Sequence, residues 1–207
     1  RLPVVRIDFE AHMEYNHLIT GLLNNGFGGI ILPMVTTPAE ARRLVAAMRH
    51  PAQRTTPAAL RQPFGTRGWN DGNAIAYWGL TQDQYVALAD VWPLNPQGEL
   101  MALAMIETPE AIESIEEILM VPGLSGILIG QGDLSTTLGV GAGNPFHPEV
   151  EALVARVAAV CVKLNKLCGS YQAPPDGQCP DKVCGQAYRV KQGFKLFTSG
   201  RGNYTGP

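Results

Sequence analysis

Residues 31–41, ILPMVTTPAEA, and residues 102–111, ALAMIETPEA, are two versions of one short device. An apolar run ends in a polar residue, Thr36 in one copy and Glu107 in the other. A threonine and a proline follow, and a helical pattern then begins. Threonine serves as an N-cap because its hydroxyl accepts a hydrogen bond from an otherwise orphaned backbone N–H. Proline suits the first helical position, where the N–H it lacks has no partner anyway. In the first copy, Glu40 stands where a capping box needs it. The reading is strand, short turn, capped helix, which is the βα unit of a parallel sheet.

Similar apolar runs recur along the chain: PVVRI (3–7), GGIILPMV (28–35), ELMALAMIE (99–107), SGILIG (125–130), LCGSY (167–171) and GFKLFTS (193–199). Many of their starts are roughly 25 residues apart, the spacing of a supersecondary repeat. Helical patterns occupy the intervals at 37–50, 108–119 and 147–166, each opening with a proline near its start. The strands are apolar throughout rather than alternating, as in a sheet covered on both faces. No G-x-G-x-x-G follows a strand, and the repetition favours a (β/α)8 TIM barrel over an open doubly wound sheet. Six strands are countable where such a barrel has eight, and the chain begins inside a strand. The expectation is one barrel domain over 1–207, with the first one or two βα units lying before Arg1. Residues 51–97 then form an elaborated loop or lid. Within it, TQDQYVALAD (81–90) reads as a short helix, and Trp69, Trp78 and Trp92 serve either a lid over the cavity or packing of the barrel exterior or of a subunit interface.

The totals narrow the function. The chain has 207 residues, is 45% hydrophobic and 16% charged, and carries a formal charge of −2. That balance offers no basic surface to nucleic acid or to an anionic membrane. No apolar run approaches the ~20 residues of a membrane span. Cys161, Cys168, Cys179 and Cys184 show no C-x2-C zinc spacing. They read as free thiols of a cytoplasmic protein, with a disulfide near the C-terminus as the alternative.

In such barrels the chemistry sits at the C-terminal ends of the strands. Those ends carry Arg6, Thr36, Glu107, Asp133 and Ser199. Asp133 follows the strand of residues 125–130 in the stretch IGQGDLS (129–135). Taken singly, Glu107 is as readily a carboxylate placed against a helix dipole, Asp133 a turn or cap residue, and Arg6 half of a salt bridge. Taken together, two carboxylates one βα unit apart, with no nearby His or Cys, suit a hard divalent ion such as Mg²⁺ or Mn²⁺. The glycines beside Gln131 would turn backbone N–H groups toward a substrate carboxylate. Arg6 would add a fixed positive charge for a developing enolate.

At these residues the chain resembles the HpcH/HpaI aldolase family, metal-dependent class II aldolases acting on 2-oxo acids within the pyruvate barrel superfamily. The resemblance runs nearly end to end, through PVVRI, GGIILPMVTTPAEARRLVAAMRHP, TRG, MIETPEAIESIEEIL, VPGLSGILIGQGDLSTTLG, NPFHPEV and GFKLFTSG. It implies that Glu107 and Asp133 are metal ligands, for Mg²⁺ or else Mn²⁺ or Co²⁺. It further implies that the backbone of Gly132 and Asp133 holds the pyruvate carboxylate and that Arg6 stabilises the enolate. The implied reaction interconverts a 4-hydroxy-2-oxo acid with pyruvate and an aldehyde. A homo-oligomer, trimeric or hexameric, is implied as well.

The chain departs from the family pattern at several positions. The family's catalytic histidine lies in an Asp-x-Glu-His segment that would precede Arg1, and none of His12, His17, His50 or His147 stands in such a motif. Met105 replaces a glutamine, Gln131-Gly132 replaces Pro-x, and Asn24 falls where the family has an acidic residue. These changes keep open an oxaloacetate-decarboxylating enzyme of macrophomate-synthase type, which needs no proton abstraction, or a weakened barrel that only binds an oxo acid.

Overall fold

The computed structural model describes residues 2–8, 12–171 and 185–198. Ser199, Cys179 and Cys184 lie outside them. The chain divides into two compact units, Arg1–Ala104 with Glu117–Gly126, and Met105–Glu116 with Ile127–Pro207.

The first unit contains β1 (Val4–Arg6), α1 (Asn16–Asn24), β2 (Gly29–Leu32), α2 (Pro38–Met48), a 3-10 turn (Ala58–Leu60), α3 (Gly72–Trp78), α4 (Gln82–Leu88), β3 (Val91–Trp92) and most of β4 (Leu100–Ile106). β1 pairs with β2, β2 with β4 and β3 with β4, all parallel. All four residues of β2 are buried, and β4 is buried except for the half-covered Met101. That burial accounts for their continuously apolar sequence. A Cβ on Gly29 of β2 would lie 2.9 Å from Val4 and 3.2 Å from the Met101 carbonyl.

The device at 31–41 folds as its residues predict. The Thr37 hydroxyl accepts from the Glu40 N–H at 3.3 Å, while Glu40 Oε2 accepts from the N–H groups of Thr36 (2.8 Å) and Thr37 (2.9 Å). Between β2 and this cap the chain turns through Met34, whose φ of 55° is unusual for a residue with a side chain.

Residues 51–97 contain the 3-10 turn, two helices and the short β3. The helix read at 81–90 is α4, opened by a second capping box between Thr81 and Gln84. Strand β3 is two residues long, too short to give a periodic signal. Arg49, 4% exposed, anchors the start of the segment. Its guanidinium donates to both carboxylate oxygens of Asp90 (2.6 and 2.9 Å) and to the carbonyls of Leu60 (2.6 Å) and Pro63 (2.7 Å). Trp78 packs with Ala74, Tyr85 and Ala89 and donates its indole N–H to the Gly26 carbonyl at 3.0 Å. For this tryptophan the packing reading applies. Trp92 on β3 and Trp69 remain exposed.

The second unit contains the end of β4, α5 (Pro109–Glu113), the start of α6 (Ile115–Leu119), most of β5 (Gly126–Ile129), α7 (Gln131–Thr137), α8 (Pro148–Leu164), β6 (Leu167–Ser170), α9 (Gln186–Lys191) and β7 (Leu196–Phe197). β6 and β7 pair in parallel. The Tyr171 N–H donates to the Ile129 carbonyl at 3.0 Å, which sets the end of β6 beside β5. The single helix expected over 108–119 is two short ones, interrupted at Ser114 (φ −91°, ψ 9°). Thr108 caps α5 through the Ala111 N–H at 3.2 Å. Here alanine, not glutamate, stands three residues after the cap, so no side chain completes a box.

For Cys161 and Cys168 the free-thiol expectation is corrected. Cys161 on α8 and Cys168 on β6 form a disulfide, and both are buried. Sequence alone reports neither compartment nor the approach of a helix end to the strand that follows it. Among the described residues, no helix is long and apolar enough to cross a membrane.

Candidate functional site

The second unit carries both sequence-predicted carboxylates. Glu107 directly follows β4 and precedes the Thr108 cap. It is 1% exposed. Burying a carboxylate costs several kcal/mol unless cations or hydrogen bonds compensate, so a buried carboxylate here needs such partners. Its backbone carbonyl accepts from the Thr137 hydroxyl at 2.9 Å, tying the end of α7 to the end of β4.

Gly130 is what lets the Glu107 carboxylate lie where it does. Its N–H donates to the Ile106 carbonyl at 3.0 Å, which holds the end of β5 against the end of β4. A Cβ on Gly130 would stand 2.5 Å from Glu107 Oε1, 2.7 Å from its Cγ and 2.9 Å from its Cδ. The Gly130 backbone, at φ −94° and ψ 84°, needs no glycine. The residue is demanded by space, and the space is filled by a carboxylate.

Asp133 stands three residues further on. The stretch IGQGDLS leads into a helix: residues 131–137 are α7, with Gly130 as N-cap and Asp133 in the first turn. Its side chain is exposed, as a turn residue's would be, and it sits where a carboxylate complements the helix dipole. The first intrahelical bond runs from the Leu134 N–H to the Gly130 carbonyl at 3.0 Å. The N–H groups of Gly132 and Asp133 therefore belong to the turn that has no intrahelical acceptors. Gln131, fully buried, donates Nε2 to the Ser170 hydroxyl of β6 at 2.9 Å. Ser135 donates to the Gly132 carbonyl at 2.7 Å and accepts from the Asn144 N–H at 3.0 Å. These bonds fix the turn from both sides.

Two carboxylates are a donor set for a hard cation such as Mg²⁺, which takes one or two carboxylates and completes its shell with water or substrate oxygen. Among the described residues, no group of three or more His, Cys, Asp and Glu side chains forms a fuller ligand cage. Glu107 and Asp133 have the oxygen-donor chemistry that a divalent ion with open positions takes. They do not resemble a closed structural site.

The other predicted residues fall as follows. Arg6 ends β1, and its Nη1 lies 3.0 Å from Asp8 Oδ1 in an ion pair whose side chains are 35% and 94% exposed. Thr36 is drawn into the capping box through its hydroxyl, 2.9 Å from Glu40 Oε2. Met105 is a core residue, 1% exposed. His12 and His17 are exposed, and His147 caps α8, its Nδ1 accepting from the Glu149 N–H at 3.3 Å.

Sequence reasoning missed a buried polar cluster in the first unit. Arg67, with no exposed surface, donates Nε and Nη2 to Asn24 Oδ1 (3.1 and 3.0 Å), and Nη2 also reaches Asp71 and the Tyr85 hydroxyl. His50 Nε2 lies 3.1 Å from Asp71 Oδ2, and its ring stacks on Trp69 with centroids 3.8 Å apart. Burial, followed by the Arg67 charge, pushes His50 below its ordinary value. The signal available in sequence was Asp71 four residues after Arg67, but nothing local announces that the pair is buried. Asn24 proves to be this arginine's acceptor.

Known proteins match this chain in sequence and in fold. A profile of the HpcH/HpaI aldolase/citrate lyase family matches residues 2–169. A 4-hydroxy-2-oxo-heptane-1,7-dioate aldolase of Salmonella paratyphi A is 37% identical over 153 residues, 73% of this chain and 49% of that protein. A hydroxypyruvate/pyruvate aldolase of Cupriavidus necator is 31% identical over 158 residues, 76% of this chain and 52% of that protein. The chain therefore spans about half the length of these aldolases. Among solved structures, an HpcH/HpaI aldolase/citrate lyase family protein from Burkholderia cenocepacia superposes with a TM-score of 0.72 at 24% identity, over 95% of this chain and 65% of that one. That likeness establishes the fold as the expected one, the α/β architecture of a (β/α)8-barrel protein. On the matched profile and the two aldolases, the chain belongs to the HpcH/HpaI aldolase/citrate lyase family.

Proposed function

We propose that the chain carries the enolate-forming site of a metal-dependent class II aldolase, a lyase that interconverts a 4-hydroxy-2-oxo acid with pyruvate and an aldehyde. The observation that carries this is the buried Glu107 at the end of β4, lodged against a glycine whose only requirement is room for that carboxylate. Asp133, in the first turn after the next strand, supplies the second oxygen ligand. A divalent cation held by these two, Mg²⁺ first and Mn²⁺ or Co²⁺ next, would supply Lewis-acid polarisation of the oxo acid.

The chain's own groups have separate tasks in this reading. Backbone N–H groups of Gly132 and Asp133 orient the substrate carboxylate, on a turn that Gln131 and Ser135 hold rigid. For Arg6 the family resemblance alone supports an enolate-stabilising role, tested by Arg6→Ala. No described histidine is assigned as base. A homo-oligomer and a cytoplasmic setting belong to the same proposal. The Cys161–Cys168 bridge tests the setting sharply, because glutathione-poised compartments keep such thiols reduced.

The deciding experiment measures oxaloacetate decarboxylation and exchange of the pyruvate methyl protons into D₂O, with Mg²⁺ or Mn²⁺ and after EDTA. Glu107→Gln and Asp133→Asn are compared with wild type, and circular dichroism checks that each variant folds. Metal-dependent turnover that falls by about two orders of magnitude in either variant is expected. Equal turnover in wild type and both variants overturns the ligand assignment. Decarboxylation without methyl exchange favours the decarboxylating alternative. Absence of both reactions, with no cation binding by calorimetry, leaves a barrel that only binds.

A further inference from the structure

The first unit has a cavity of about 470 Å³ between α1 and the segment of residues 68–73. Its walls are unusual in composition. Asn16, Asn70 and Trp69 line it, together with Asn24 and three glycines, and His17 is its single titratable side chain. No lysine, arginine or carboxylate faces it among the described residues. An anionic oxo acid has no counter-charge there.

Several wall side chains keep polar atoms or ring faces open to the cavity. Asn24 presents Oδ1 to the buried Arg67, which orients its amide, and Nδ2 makes no hydrogen bond among the described residues. Asn16 and Asn70 likewise make no side-chain hydrogen bond among them. Trp69 is 50% exposed, and one face is backed by the ring of His50, itself held beside Asp71. The indole is a fixed platform.

The glycines add an independent argument. Gly21 lies inside α1, where glycine is a poorer helix former than alanine. Neither Gly21, Gly68 nor Gly72 has any atom within 4 Å of where a Cβ would stand, and none has a positive φ. The fold requires glycine at none of the three. What they preserve is close approach to the backbone from the cavity.

We propose that this cavity binds a neutral, hydroxyl-rich ligand of the pyranoside class, seated with its C–H face on Trp69 and its hydroxyls on the asparagine amides. Neutral amides and an aromatic platform are the groups that recognise such a ring. A flat heteroaromatic base would call for donors converging on one edge, whereas these are spread between α1 and residues 68–73. The reading is independent of the aldolase proposal.

The test titrates the whole chain with the methyl glycosides of glucose, galactose and mannose, with maltose, and with adenosine, by calorimetry and saturation-transfer NMR. Saturable millimolar binding of a saccharide is expected, lost in Trp69→Ala and weakened about tenfold or more in Gly21→Ala and Asn70→Ala. Gly21→Ala should keep or raise the thermal midpoint, so its loss of binding cannot be charged to unfolding. The proposal is overturned if no saccharide saturates, if adenosine alone binds, or if binding survives all three variants. It is overturned equally if Gly21→Ala shifts the elution volume without affecting saccharide binding, which would make the cavity a contact between copies of the chain.

Discussion

Gly130→Ala isolates the contact on which the site reading rests. A Cβ at this position would stand 2.5 Å from Glu107 Oε1, whereas ordinary contact begins at 3.4 Å. The shortfall is 3.4 − 2.5 = 0.9 Å, so the carboxylate has to move by about that much or the turn after β5 has to open. The Gly130 backbone is acceptable to alanine, so the cost is steric alone. Overpacking of this kind costs roughly 1–3 kcal/mol. In a chain this long each kcal/mol lowers the thermal midpoint by about 2–4 °C.

Displacing a catalytic group by about 1 Å costs on the order of a hundredfold in rate. The assay is paired: thermal unfolding by calorimetry, and decarboxylation of oxaloacetate at saturating Mg²⁺. A double-mutant cycle with Glu107→Ala completes it, because removing the side chain removes the obstacle. In the Glu107→Ala background the stability cost of Gly130→Ala should largely vanish. If the full cost persists there, the obstacle is not the carboxylate. If Gly130→Ala loses stability yet keeps wild-type turnover, Glu107 is not used in the reaction.

Three further outcomes are expected. Burial raises the Glu40 carboxyl, but hydrogen bonds from Thr36 and Thr37 outweigh it and hold the group below 4.5. Its folded value therefore lies below its unfolded one, so the stability it gives is present above about pH 4.5 and is lost as pH falls through the folded value. The midpoint difference between wild type and Glu40→Gln should shrink on that acid limb, within the ~0.5–2 kcal/mol of a helix cap, and a pH-independent difference would contradict the box. Arg67→Met should cost about 3–5 kcal/mol by chemical denaturation, because it leaves the buried Asp71 carboxylate without its guanidinium. A loss under 1 kcal/mol, which a solvated pair would give, would show that Asp71 is not buried as described. Reducing the Cys161–Cys168 bridge, which joins residues seven apart, should cost about 2–3 kcal/mol on loop-entropy grounds, and an unchanged midpoint in dithiothreitol would refute that.

The features legible in the sequence were those with a local cause. Six strands announce themselves as unbroken apolar runs, and the caps at Thr37 and Thr108 need only neighbours within four residues. The position of Glu107 at a strand end was legible for the same reason. The polar cluster was not, because its bonds join Arg67 to residues up to 43 positions away. Nor was α7: two glycines around a glutamine give no helical signal, and the turn is held in part by bonds of Gln131 to Ser170 and of Ser135 to Asn144, residues 39 and 9 positions away. The interruption at Ser114 has no counterpart in propensity, and the structure offers no specific cause for it.

The two copies of the opening device diverge in a way that bears on chemistry. In the first, Glu40 reaches back to the N–H groups of Thr36 and Thr37, so the strand end is closed by its own helix. In the second, Ala111 occupies the equivalent of Glu40, and no carboxylate folds back over the strand end. A carboxylate does stand there, but it has moved from the helix to the strand terminus, from position 40 of one unit to position 107 of the other. Its neighbour Gly130 has no side chain, which leaves the room that carboxylate occupies. A unit built only for stability would keep the box, which satisfies two orphan donors at once. The second unit gives that up and buries a carboxylate at the end of the sheet where barrel chemistry takes place. That exchange makes sense if Glu107 is there to bind something.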